Sequence, residues 1–136
     1  MRVKLDQGAY MPTRAHKQDA GMDLRTPTRV VIRPHGSAVI DTGVHIELPD
    51  GTVGLLKSKS GLNVNCDLIG EGVIDVGYTG SIHVKLYNLG SEMRILERGD
   101  KIIQLVIVPC CFPPLEEVKD LADTERGSAG FGSTGR

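Results

Sequence analysis

Three polar runs in this chain carry residue types that can handle a polyphosphate. The last eleven residues, Arg126-Gly127-Ser128-Ala129-Gly130-Phe131-Gly132-Ser133-Thr134-Gly135-Arg136, combine closely spaced glycines with three hydroxyls, one aromatic and two arginines. Glycines let backbone N–H groups approach anionic oxygens, hydroxyls add donors, and an arginine fork pairs two phosphate oxygens at once. Phe131 is placed to stack on a base. The alternative is a Gly/Ser tail without structure, the commoner outcome for such a terminus taken alone. Lys57-Ser58-Lys59-Ser60-Gly61-Leu62 follows a strand-like run and offers cations and hydroxyls where a short helix can begin, and helix starts bind phosphates through their N–H groups. An exposed polar loop with Ser60 as N-cap reads equally well. Asp19-Ala20-Gly21-Met22-Asp23-Leu24 sets two acids around a glycine, compatible with a turn and with a hydrated cation, and alone the turn prevails.

Two further residues stand out because their neighbours are apolar. Asp75 lies in Gly72-Val73-Ile74-Asp75-Val76-Gly77-Tyr78-Thr79-Gly80-Ser81-Ile82, which reads as two strands closing through a tight turn. An acid in such company needs a partner or a task, which makes Asp75 a candidate base for activating water, the alternative being a side chain that binds turn amides. Gln104 interrupts Ile102-Ile103-Gln104-Leu105-Val106-Ile107-Val108, and its amide must bond to backbone or to a ligand. Tyr78 taken alone reads as packing. His16, His35 and His45 read as surface residues, and His83 as exposed, with its backbone of more interest than its ring.

The elements that position these residues are strands. Val44, Ile46 and Leu48 alternate with polar neighbours, as do Ile82, Val84 and Leu86, the period of half-buried strands. The run 102–108 suits a strand covered on both faces. Turn signals recur at Pro34-His35-Gly36, Pro49-Asp50-Gly51, Tyr78-Thr79-Gly80, Asn88-Leu89-Gly90 and Arg98-Gly99-Asp100, while only Ser60–Cys66 and Leu115–Leu121 have room for short helices. At 136 residues with 17 glycines and 7 prolines, one all-β domain of barrel or jelly-roll type is expected over residues 1–125, followed by a glycine-rich arm over 126–136. A net charge of −1 without a basic stripe argues against nucleic acid as partner. The three cysteines, without CxxC spacing, read as reduced, packed thiols, and with no signal-like or membrane-spanning run a soluble cytoplasmic protein is expected.

Taken together and in order, these runs resemble the homotrimeric deoxyuridine triphosphate nucleotidohydrolases, the dUTPases. That family carries five ordered motifs, matched here by Asp19–Leu24, Lys59–Leu62, Gly72–Gly80, Arg98–Leu105 and Arg126–Gly135. The resemblance implies a jelly-roll homotrimer whose sites form between subunits and are closed by the C-terminal arm of another chain. It implies hydrolysis of dUTP to dUMP and pyrophosphate, with Asp75 deprotonating the water that attacks the α-phosphorus. Tyr78 would pack under the sugar. Main-chain groups of Gly72, Val73 and Ile74, with the opposite arm near His83, would read uracil, and the hairpin width would exclude thymine's methyl group. Lys59, Ser60, Gly61 and Gln104 would hold phosphates, Arg126, Gly132, Ser133 and Thr134 would close the cage, and Phe131 would stack on the base. Asp23 would face Mg²⁺ through water, the metal resting mainly on substrate phosphates.

The chain also departs from the family pattern. Lys59 stands where an arginine is usual, which keeps charge but gives up the planar fork and predicts weaker triphosphate affinity. Ile69 occupies the place of an asparagine that touches uracil in many bacterial members, Gly77 replaces a common acid, and the stretch between Leu62 and Gly72 is about one residue short. A deoxycytidine triphosphate deaminase shares the fold, but no deaminase motif is present and the tail has the dUTP-hydrolysing form. A Walker-type P-loop is excluded because no GKS or GKT follows the glycines. The third reading is a regulatory protein that orders its tail around a nucleotide to signal to a partner.

Overall fold

Alternation of apolar and polar residues becomes alternation of burial wherever a strand has one wet face. In His83–Asn88 the even-numbered residues are buried and the odd-numbered ones exposed. The computed structural model describes residues 1–128, and in them the chain forms β1 (Arg2–Leu5), β2 (Gly21–Arg25), β3 (Val30–Ile32), β4 (Ser37–Asp41), β5 (Val44–Glu47), β6 (Thr52–Lys57), α1 (Ser60–Cys66), β7 (Leu68–Ile69), β8 (Glu71–Ile74), β9 (His83–Asn88), β10 (Arg94–Leu96) and β11 (Lys101–Pro109). All ladders are antiparallel: β2-β11-β6-β8 is the largest sheet, β4-β9-β7 the next, and β1-β5 and β10-β3 are two-stranded. The core between them is aliphatic, with Leu24, Val44, Ile82, Val84, Ile103 and Leu105 fully excluded from solvent. Each such side chain contributes about 1.5–3 kcal/mol of transfer free energy, so the core, not the few surface ion pairs, holds the sheets together.

The central strand of the large sheet explains where Gln104 sits. Its register with β2 shifts between Lys101 and Ile103, a bulge that lets Ile102 and Ile103 both face the core. After the bulge, Gln104 comes to lie between Asp23 on one side and Lys57 on the other. Coverage on both faces holds only for the first half of this strand, since Val106, Ile107 and Val108 are half-buried.

Several expectations are corrected. The hairpin expected over Gly72–Ile82 does not form: β8 pairs with β6, whereas β9 pairs with β4 and β7, so residues 75–82 cross from one sheet to the other. That connection is longer than the tight turns that close hairpins. Leu115–Leu121 forms no helix. Leu115 and Leu121 are almost wholly exposed, and a helix this short cannot persist without a surface to cover its apolar face. Ser60 is the first residue of α1, not its N-cap; Lys59 takes the cap position in extended conformation, and no side chain caps the start. Cys111 is exposed and Cys66 and Cys110 are half-buried, so the thiols are free but not packed away.

The turns follow their sequence signals. Gly51 and Gly99 adopt the left-handed conformations at their bends, and His35 does so at φ 56°. Asn88 is more than a turn marker. It is 1% exposed, its Nδ2 donates to the carbonyls of Ile32, Arg33 and Glu92, and its Oδ1 accepts from Gly90 N–H. Every capacity of the amide is met inside the fold, which ties β9 to the β3 end and to the loop before β10.

Candidate active site

Asp23 is the fixed point of the polar patch. Its backbone is bound to β11 on one side and bridged to Thr13 on the other, with Asp23 N–H donating to the Thr13 carbonyl at 2.7 Å. Its side chain, 10% exposed, receives the Lys59 ammonium on Oδ1 and the Lys101 ammonium on Oδ2, the latter at 2.7 Å. Burial by itself pushes the carboxyl up, but the hydrogen bonds and charges of Lys101 and Lys59 outweigh it and hold it below the usual aspartate range. Lys101 occupies the second oxygen, so Asp23 has a partner independent of Lys59. Lys101 escaped the sequence reading because Arg98–Lys101 registers only as a turn; the turn is there, with Glu97 N–H donating to Asp100 Oδ2, but its last residue also reaches the patch.

Around Asp23 lies a pocket of about 400 Å³ lined by Asp19, Gly21, Asp23, Lys57, Lys59 and Gln104 among others. Gln104 Nε2 donates to the Ser58 carbonyl at 3.2 Å, and its Oε1 lies 2.3 Å from where a Cβ on Gly21 would stand. Glycine is therefore required at 21 for the amide to lie flat against β2. Ser58 Oγ both donates to the Gly70 carbonyl and accepts from Gly70 N–H, at 2.9 Å each, which pins the end of β6 beside β8. Lys57 pairs with Glu71 at 2.8 Å on an exposed face, a pair contributing about 0–1 kcal/mol. Ser60 and Gly61 lie exposed at the start of α1, with open space where a Cβ on Gly61 would be.

The remaining candidates cluster elsewhere. Gly72, Val73 and Ile74 lie on β8, the edge of the large sheet, so one row of their backbone groups faces away from any strand. Asp75 follows directly, exposed, and its carbonyl accepts from Tyr78 N–H at 3.1 Å. The Tyr78 ring is half-exposed, covers Gly80 so closely that a Cβ there would meet the hydroxyl at 2.6 Å, and donates from that hydroxyl to the Ser81 carbonyl. His83 is exposed at the start of β9, opposite Asp41, and Ile69 faces Tyr87 in the second sheet. None of Asp75, Tyr78 and His83 lines the pocket around Asp23. Arg126 lies in an exposed turn closed by Gly127 N–H on the Thr124 carbonyl, and Phe131, Gly132, Ser133 and Thr134 lie outside the described residues.

The described residues hold no group of three His, Cys, Asp or Glu side chains able to cage a metal ion. Asp23, with an ammonium on each oxygen, does not fit a resident metal ligand. A divalent cation at this patch would have to arrive with its own ligands.

The chain thus presents an aspartate-anchored set of lysines with an amide at strand ends, the chemistry of an anion-binding surface, and, apart from it, an exposed acid just after an edge strand. The chain belongs to the dUTPase family, whose family model matches residues 7–135. It is 46% identical to the deoxyuridine 5'-triphosphate nucleotidohydrolase of Corynebacterium glutamicum, over 98% of this chain and 93% of that protein. It is 42% identical to the Mus musculus protein of the same name, over 98% of this chain and 83% of that one. Among solved structures it superposes on the dUTPase of Staphylococcus bacteriophage 80alpha with dUPNHPP at a TM-score of 0.89 and 37% identity, covering 99% of this chain and 98% of that chain. It also matches a variant dUTPase of phage phi11 of S. aureus, described for its structural Mg(II) ion, at a TM-score of 0.82 and 33% identity, covering 90% of this chain and 98% of the other.

Proposed function

We infer that the protein hydrolyses dUTP to dUMP and pyrophosphate, limiting uracil incorporation into DNA and supplying dUMP for thymidylate synthesis. The observation that carries the reading is the convergence of Lys57, Lys59 and Gln104 on one pocket with Asp23 and Lys101 behind them, in a chain of the dUTPase family. Lys59 exchanges its carboxylate partner for a phosphate oxygen, and Gln104 donates to a neighbouring one. Asp75 takes the proton of a water whose oxygen attacks the α-phosphorus; the bond from that phosphorus to the α–β bridging oxygen breaks and pyrophosphate leaves. Tyr78, held over Gly80, packs under the deoxyribose and leaves no room for a 2′-hydroxyl. The unpaired edge of β8 offers N–H and C=O groups in the order that uracil, not cytosine, complements. The gap between the two sheets, in place of a hairpin, then sets the limit on a 5-methyl group.

Magnesium brought in on the nucleotide would supply neutralisation of phosphate charge. Asp23 would be the protein group to face it, through water, if Lys59 turned to a phosphate. Since the pocket at Asp23 excludes Asp75 and Tyr78, one chain presents two half-sites, and the reading assembles whole sites between subunits of a homotrimer. Residues 126–136 form the arm that closes each site from a further chain, with Arg126, Gly132, Ser133 and Thr134 on phosphates and Phe131 on uracil. The exposed apolar side chains of Val39 and Tyr87 on the outer face of the second sheet, and of Phe112 and Leu115 beyond β11, support burial against other copies. The workplace is the cytoplasm, where the free thiols of Cys66, Cys110 and Cys111 stay reduced.

Magnesium-dependent release of pyrophosphate from dUTP, with dCTP, dTTP and UTP in parallel and products separated chromatographically, tests the reading. Formation of dUMP from dUTP alone is expected. Conversion of dCTP to a uracil nucleotide would mark a deaminase instead, and tight dUTP binding without product would make the protein a nucleotide-gated regulator.

A further inference from the structure

His45, expected at the surface, is the least exposed of the charge-bearing groups near the 75–82 connection, its side chain only 17% exposed. It stands in β5 opposite Lys4 of β1, and each ring nitrogen has a partner. Nδ1 is 2.8 Å from the Thr79 carbonyl oxygen, and Nε2 is 3.0 Å from Asp6 Oδ2. A main-chain carbonyl only accepts, and so does an ionised carboxylate. Both contacts are hydrogen bonds only if both nitrogens carry protons, that is, if the ring is an imidazolium. The Asp6 main chain is itself tied, its N–H donating to the Gly43 carbonyl at 2.9 Å, so the ring links an anchored residue to the Thr79 turn.

What it holds is the turn that carries Tyr78. The other end of that connection is tied independently: Ser81 Oγ donates to Asp41 Oδ1, which also accepts from Gly43 N–H, and Ile82 exchanges bonds with Thr42 and Val44. Between Gly77, at φ 87°, and Ser81 the only tertiary side-chain anchor among the described residues is His45 on Thr79. We propose that His45, doubly protonated between Asp6 and the Thr79 carbonyl, is a positioning residue that fixes the Tyr78 turn for the deoxyribose, so that nucleotide affinity falls as His45 loses its proton. This rests on the reading of Tyr78 as the sugar platform.

The charges facing the ring agree with that state. Asp6, first through its hydrogen bond, and then the Thr79 carbonyl raise the His45 pKa above the ordinary histidine value, against the opposing effects of burial and, less, of Lys4. His45 in turn holds Asp6 below the usual carboxylate range and helps lower Asp41, whose main partners are Ser81 and Gly43. Lys4 is itself drawn to Asp6 Oδ1 at 3.7 Å, and further along the ladder Arg2 and Glu47 neutralise one another. On β9, His83 leans on Asp41 of β4 at 3.7 Å, and the connection brings Asp75 and Tyr78 as its own titratable groups. A raised folded-state value means that the clasp is complete below the ordinary histidine pKa and is lost as pH rises through the raised one.

The test measures KM and kcat for Mg-dUTP from pH 6 to 9 in the wild type and in His45→Gln, whose amide keeps a donor for Thr79 but does not titrate. In parallel, the His45 ring nitrogens and the Gly80 amide are followed by NMR over the same range in the intact protein. The expected result is a KM that rises about threefold to tenfold with the deprotonation of His45 while kcat keeps its own profile, a rise absent in His45→Gln. The Gly80 amide is expected to shift with the His45 midpoint. A flat wild-type KM with normal dUMP formation would overturn the clasp and leave the activity standing. If no dUMP forms at all, the activity reading fails, and the NMR arm still decides: a His45 that titrates at the ordinary value without moving Gly80 overturns the proposal, and coupled midpoints support it.

Discussion

The Asp23 patch and the described residues after β11, 110–128, are built in opposite ways. On the patch, the inner groups are held by partners that do not depend on substrate: Asp23 by the β11 ladder, the Thr13 bridge and two lysines, Gln104 by Ser58 and the bare backbone of Gly21, Ser58 by Gly70. Residues 110–128 carry no strand or helix, and Leu115 is 99% exposed. Preorganised groups cost no reorganisation when charge arrives, which suits the binding of phosphates. Groups ordered only on binding lose affinity to that ordering but let a site open and close. The division predicts that damage to the framework half shows in turnover and damage to the arm half shows in closure.

Asp75→Asn gives the largest effect. Asp75 is exposed at the end of β8 with no core contact to lose, so the fold and dUTP affinity are expected to persist. Turnover is expected to fall on the order of 10²–10⁴-fold, the usual contribution of a general base. Steady-state kinetics beside calorimetric binding of a non-hydrolysable analogue checks this, and normal turnover removes Asp75 from the mechanism.

Truncation after Glu125 comes next. None of the described residues after Pro109 belongs to a sheet, so oligomer size by ultracentrifugation and melting temperature are expected to be unchanged, while kcat/KM falls about a hundredfold through lost positioning. Mixing this truncated chain with Asp75→Asn sharpens the contrast. Each is nearly inactive alone, and after subunit exchange activity returns only if an arm from one chain closes over Asp75 of another. No recovery in demonstrably mixed oligomers would place arm and acid on the same chain.

Sequence order revealed more about the site than local pattern did. The alternation in His83–Asn88 and Val44–Leu48 marked real strands because burial on one face writes period 2 directly into residue choice. The cation, amide and acids of the patch were legible by type, yet Lys101 was not, because its reach to Asp23 depends on the bulge beside it and leaves no trace in spacing. The supposed hairpin failed for a related reason. A strand-turn-strand signal fixes two strands and a bend, but which strands they pair with is decided by register across the whole molecule. His45 was misplaced on the surface because an alternating strand marks the outward face and cannot show that β1 and the Thr79 turn fold over it. Leu115–Leu121 had helical spacing without a surface to bury it, and spacing alone does not stabilise so short a helix.

The smallest effect tests the framework half at its anchor. Asp23 is held below the usual aspartate range by Lys101 and Lys59 in spite of its burial. A depressed folded-state value means that its contribution to stability is fully present above the unfolded-state pKa, near 4, and is lost as pH falls through the lower folded value. Asp23→Asn removes that dependence while leaving two ammonium groups facing an amide, so the variant is expected to melt lower than wild type at pH 7 and the gap to narrow as the pH drops below 4. The measurement is thermal unfolding by circular dichroism from pH 7 down to the acid limit of the fold. A gap that stays constant means that Asp23 stabilises through its packing and its bridge to Thr13. One that closes means that the lysines are held by charge, so Lys59 is released by whatever anion competes best for it. A triphosphate at the mouth of the pocket is such a competitor, which makes the acid sensitivity of the fold and the capture of substrate two readings of the same ion pair.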